Sequence, residues 1–101
     1  MRFLADEVLT VGVGQTVSLT PELIDQTGRS RASGALIYSH DVGGDSTIAI
    51  RFANSPDITG LKYLPIPKSG QARIESYDNL RDLRIILIGD TPAKLYIQYF
   101  N

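Results

Sequence analysis

The chain has no cysteine and no tryptophan, and only one histidine, among its 101 residues. Without cysteine the fold rests on neither disulfides nor thiolate metal sites, a composition that suits a reducing cytosol. A metal site would have to join His40 to carboxylates such as Asp41 and Asp45, a set without the ligand spacing of zinc motifs. Neither sign of charge dominates, with 10 basic against 11 acidic residues, so the basic excess that nucleic-acid binding draws on is missing. No apolar run approaches the ~20 residues of a membrane-spanning helix. Asp6 and Glu7 stand where a signal peptide would carry its apolar segment. The expectation is a protein made and folded in a cytoplasm, with no nucleic acid, no membrane and no cofactor among its partners. With Met1 at the start and a strand reaching the last residue, it is also expected to be complete.

Catalytic motifs are equally scarce. A Ser-His-Asp hydrolase would have to use His40, and there is no Gly-x-Ser-x-Gly elbow. Gly12-Val13-Gly14-Gln15-Thr16 lacks the Lys-Ser/Thr ending of a phosphate loop and runs into strand-type residues where a helix should begin. Asp41, Asp45 and Asp57 do not recur at the alternate positions of an EF-hand; they read as solvated turn acids. No enzyme is expected. The five tyrosines, Tyr38, Tyr63, Tyr77, Tyr96 and Tyr99, read as core edges and interface residues whose hydroxyls reach water.

What the chain has in abundance is short β-type stretches punctuated by Gly, Pro, Asp and Asn. Ile48, Ile50 and Phe52 alternate with Thr47, Ala49 and Arg51, the period-two signature of a half-buried strand. Leu95, Ile97 and Tyr99 alternate with Lys94, Tyr96, Gln98 and Phe100, which places Tyr96 and Phe100 on the outer side. Leu83-Arg84-Ile85-Ile86-Leu87-Ile88 is apolar enough to be read as buried on both faces. Further strands are read over residues 7–11, 15–19, 34–39 and 73–77, and over an edge segment, 61–66, restricted by Pro65. Hairpins are read at Gly43-Gly44 and at Gly89-Asp90-Thr91-Pro92, and a turn at Asp78-Asn79. Thr20-Pro21-Glu22 carries the capping Thr, first-turn Pro and early acid of one helical turn.

The fold class is therefore all-β: a single antiparallel β-sandwich of about seven to eight short strands, Ig-like or jelly-roll-like, with one helical turn near 21–25. Residues 1–14 form an N-terminal arm or first strand, and residues 15–101 the sandwich domain.

The order of segments carries a resemblance. Val17-Ser18-Leu19-Thr20, Ala35-Leu36-Ile37, Ile48-Ala49-Ile50-Arg51-Phe52, Thr59-Gly60, Asn79-Leu80-Arg81-Asp82-Leu83-Arg84-Ile85-Ile86 and Ala93-Lys94-Leu95-Tyr96-Ile97-Gln98-Tyr99 follow one another. In this it resembles the small β-sandwich virion structural proteins of tailed bacteriophages, over roughly residues 15 to 100. The resemblance implies a capsid decoration or cement protein that bridges major capsid subunits, located in the virion and working as a homo-oligomer. It carries over no catalytic residue. Candidate interface residues are Phe3 and Leu4 in the arm, Arg29 and Arg31 in a polar loop, and Tyr63 beside the Pro-bounded segment. A neck, tail or portal-vertex component is the alternative within the same particle. A carbohydrate-binding module is the alternative outside it, and predicts exposed tyrosines on one face. If residues 1–14 are an arm, deleting them leaves a folded domain that attaches weakly.

Overall fold

Alternating apolar and polar residues give a strand one face to bury, and two such sheets can bury their faces against each other. A computed structural model describes residues 2–25, 31–42, 46–52, 64–66 and 70–101. Its elements are β1 (Phe3–Val11), β2 (Thr16–Ser18), α1 (Pro21–Asp25), β3 (Gly34–Val42), β4 (Thr47–Phe52), β5 (Leu64–Ile66), β6 (Gln71–Glu75), α2 (Tyr77–Asp82), β7 (Leu83–Ile88) and β8 (Ala93–Phe100). They make two four-stranded antiparallel sheets, β1-β8-β3-β6 and β2-β7-β4-β5. The pairs β1 with β8, β2 with β7, β3 with β6 and β4 with β5 nest inside one another. That nesting is the strand order of a jelly roll.

The core is a single cluster drawn from both sheets. Val11, Ala35, Ile37, Ile74, Leu95, Ile97 and Tyr99 come from the first, and Ile48, Ile50, Ile66, Leu83, Ile85 and Leu87 from the second. Ile24 of α1 and Leu80 of α2 join the same cluster. Each large aliphatic residue so buried contributes about 1.5–3 kcal/mol relative to exposure.

The nested order corrects several sequence expectations. β3 and β4 lie in different sheets, as do β7 and β8, so neither Gly43-Gly44 nor residues 89–92 close a hairpin; residues 43–45 lie outside the described residues. The second link is docked on the approach to β4. Buried Ser46 accepts a hydrogen bond from the Thr91 amide (2.9 Å) and donates one to the Thr91 carbonyl (2.7 Å). Gly89, at φ 138°, lies so close that an added Cβ would stand 2.5 Å from Ser46 Cα. Only glycine combines that approach with that backbone angle.

β7 is central in its sheet, yet only Leu83, Ile85 and Leu87 are buried, while Ile88 on the other face is half exposed. Phe100 departs in the opposite sense. Paired across from Gly34, it spreads over the space that a side chain there would fill, and Arg73 sits 4.9 Å above its ring. It is therefore buried on a face expected to be open. The expected turn at Asp78-Asn79 is a short helix: the Ser76 hydroxyl accepts from the Asn79 amide (3.2 Å) as an N-cap, and Leu80 reaches the core.

Candidate functional site

Cross-strand partners share a face, so the register of the first sheet defines its outer surface row by row. Phe3, Phe100, Gly34 and Glu75 form one row, and Asp6, Gln98, Leu36 and Arg73 the next. Val8, Tyr96, Tyr38 and Gln71 form a third. Three of the exposed large hydrophobics belong here: Phe3 (56% exposed), Val8 (52%) and Tyr96 (41%). The Tyr38 hydroxyl reaches the side-chain oxygen of Gln98 at 3.4 Å. The outcome is a mixed face: Phe3 stands at one end and Val8 with Tyr96 at the other, the polar row of Asp6 and Gln98 runs between them, and Arg73 and Glu75 border the β6 edge. An open groove at its edge is lined by Phe3, Leu4, Ala5, Asp6 and Gln98.

The strand that carries Phe3 and Val8 is anchored firmly from below. Glu7 faces inward, in the row of Ile97 and Ile37. Its carboxylate accepts a hydrogen bond from the Thr20 hydroxyl (2.6 Å), one from the Thr20 amide (3.4 Å) and one from the Tyr99 phenol. Burial, then the hydrogen bond to Glu7 and its charge, push the Tyr99 phenol far above the usual tyrosine range. Glu7 thereby ties β1 to β8 and to the approach of α1.

A second cluster lies where α1 meets α2. The Tyr77 phenol donates to the Asp25 carboxylate, which also pairs with Arg81 at 2.6 Å. The Arg31 guanidinium stacks 3.5 Å over the Tyr77 ring, with that of Arg81 at 6.0 Å. The Tyr77 hydrogen bond and the Arg81 charge hold the Asp25 carboxyl below its usual value, against an opposing effect of desolvation. The charge of Asp25 in turn raises Arg81.

This geometry predicts acid sensitivity. A carboxyl whose folded value is depressed contributes stability above its unfolded value, and that contribution is lost as pH falls through the folded one. The gap in melting temperature between the native chain and Asp25→Asn is therefore expected to be present at pH 6 and to close progressively below about pH 3.8. Thermal melts of both proteins across that range check it, and a gap independent of pH would remove Asp25 from the clamp.

Of the sequence candidates, Phe3 is exposed at the start of β1 and Arg31 is exposed but stacked on Tyr77. Leu4 is turned inward: the register shifts between Phe3 and Ala5, and both Leu4 and Ala5 pack against the core. Arg29 and Tyr63 lie outside the described residues, as do Asp45 and Asp57. His40 lies on β3, and its side chain and that of Asp41 are outside those described; among the side chains that are described, no three His, Cys, Asp or Glu gather as a metal site would require. Sequence reasoning does not single out Val8: its exposure follows from its place in the outer row, and its free flank from β1 being an edge strand, which alternation alone does not reveal. Comparison of the chain with family models, with curated proteins and with solved structures finds no match.

Proposed function

We propose that this protein is a non-catalytic structural module that binds other proteins through the outer face of its first sheet. The observation that carries the reading is the exposure of Phe3, Val8 and Tyr96 on that one face, interspersed with the polar Asp6 and Gln98. Exposed aromatic and aliphatic side chains mixed with polar ones on one sheet face suit a protein-binding surface. The setting we propose is a bacteriophage virion, with the chain acting as a decoration or cement protein on the head, bound to major capsid subunits. Its support is the resemblance in segment order, together with the jelly-roll order that capsid domains use, which is a fold-level analogy. A module that binds the assembled shell more tightly than the free subunit stabilises the shell by mass action, repeated at every site.

Immunogold electron microscopy on particles purified from the native source tests this. Label spread over the head is expected. Label confined to one vertex or to the tail would replace the cement role by a neck, tail or portal role, and unlabelled particles would overturn the virion reading. A second reading has its own observation: Tyr38 and Tyr96 stand opposite each other on the face, and lectin domains also use jelly rolls. Binding to a glycan array that disappears in Tyr96→Ala would favour it.

A further inference from the structure

Four sheet edges end this sandwich, and three of them are guarded in the ways that keep edges from pairing with another chain. β2 is only three residues long, and β5 carries Pro65 at its middle. β6 exposes Gln71, Arg73 and Glu75, the last two joined as an ion pair at 2.9 Å. β1 is different: it is nine residues long with no proline, lysine or arginine. Among the described residues no strand pairs with its far side. Its inward acid, Glu7, which would otherwise discourage pairing, is committed to Thr20 and Tyr99 within its own chain.

We propose that β1 pairs antiparallel with β1 of a second copy across a two-fold axis at Val8, joining two four-stranded sheets into one of eight strands. The register shift between Phe3 and Ala5 ends regular pairing at the start of the strand, which leaves residues 5–11 as the regular segment. Val8 is the midpoint of that segment. In an isologous pair centred there, Val8 meets Val8 of the second copy, Asp6 meets Thr10, Glu7 meets Leu9 and Ala5 meets Val11.

The occupant is argued from this complementarity. No acid faces an acid, the carboxylate of Asp6 faces a hydroxyl, and the exposed Val8 gains an apolar neighbour in Val8 of the second copy. The outer row Tyr38, Tyr96, Val8 then continues into Val8, Tyr96, Tyr38 of the second copy, a single apolar stripe across the dimer. A register centred one residue earlier sets Glu7 against Glu7, and one centred two earlier sets Asp6 against Asp6. Both oppose like charges, which is destabilising. This dimer does not depend on the virion reading, because it uses the backbone edge of β1.

Sedimentation velocity of the full chain between about 1 μM and 1 mM tests it. A concentration-dependent monomer–dimer equilibrium is expected. Val8→Lys sets two ammonium groups on the axis and is expected to weaken the dimer at least about tenfold, with circular dichroism and melting temperature of the monomer retained, because Val8 is half exposed. Thr10→Glu faces Lys94 within its own sheet and so suits the monomer, yet it meets Asp6 of the second copy and is expected to weaken the dimer. Adding Asp6→Lys to Thr10→Glu creates two opposite-charge pairs per dimer and is expected to restore or exceed native affinity. A protein monomeric throughout the range, or a dimer indifferent to Val8→Lys, overturns the proposal. Failure of Asp6→Lys/Thr10→Glu to recover what Thr10→Glu loses overturns the register.

Discussion

A chain shortened to begin at Gln15 will lose its cooperative unfolding transition. The sequence alone allows residues 1–14 to be a dispensable arm, but Phe3–Val11 is a full strand paired with β8 from Phe3 to Val11. Its removal would turn β8, which bears Leu95, Ile97 and Tyr99 at the centre of the core, into an edge. Val11 is completely buried, and Leu4, Ala5 and Leu9 pack against the same cluster. Glu7 would leave with them, so the Tyr99 phenol and the Thr20 hydroxyl would lose their acceptor. The burial of Val11 and of the two partly buried leucines, with one orphaned buried phenol, amounts to roughly 5–9 kcal/mol. That is comparable with the entire ~5–15 kcal/mol of a typical domain. Thermal melts followed by circular dichroism check this. A cooperative transition within about 5 °C of the full chain, a shift worth only about 1 kcal/mol, would show that β8 closes the sheet without β1.

The elements that were legible in the sequence are those set by local chemistry. Ile48, Ile50, Leu95, Ile97 and Tyr99 fall on the buried faces that alternation assigns them. Pro65 does mark an edge strand, because a residue without an amide hydrogen is tolerated there. Pro21 does open a helix of one turn. Alternation says which residues face inward and is silent about which strand lies alongside, so two links between sheets look like hairpins in the sequence. Phe100 could not be placed from its neighbours in sequence, since the space it fills is the missing side chain of Gly34, on another strand.

The candidate face shows the same division. Period two places Tyr96 on the outer side, whereas Val8 acquires meaning only once β1 is known to be an edge. In the sequence Glu7 is an acid where a leader would be apolar, and its place under the sheet depends on Thr20 and Tyr99, which arrive from distant parts of the chain.

Tyr99 will prove the most costly single side chain to truncate. It is wholly buried on β8, an inner strand of the first sheet, and Tyr99→Ala is expected to remove about 3–5 kcal/mol, the range for deleting a buried aromatic. Tyr99→Phe keeps the ring and loses the hydrogen bonds of the phenol, to Glu7 and with the Thr20 backbone, so about 1–3 kcal/mol is expected near neutral pH. The two substitutions separate packing from hydrogen bonding, and alkaline pH separates them again. In the unfolded chain the phenol ionises near pH 10, whereas burial and the neighbouring Glu7 carboxylate keep it protonated in the folded one. Above pH 10 the folded state therefore holds a proton that the unfolded state has released, and stability falls as pH rises, by about 1.4 kcal/mol per pH unit for one such group. Tyr99→Phe lacks that loss, so its deficit relative to the native chain is expected to be full below pH 10 and to shrink above it. Urea unfolding of both proteins from pH 8 to pH 11.5 measures the difference. Parallel curves would mean that the phenol ionises as readily in the fold as outside it, and Glu7 would then be no anchor for β1.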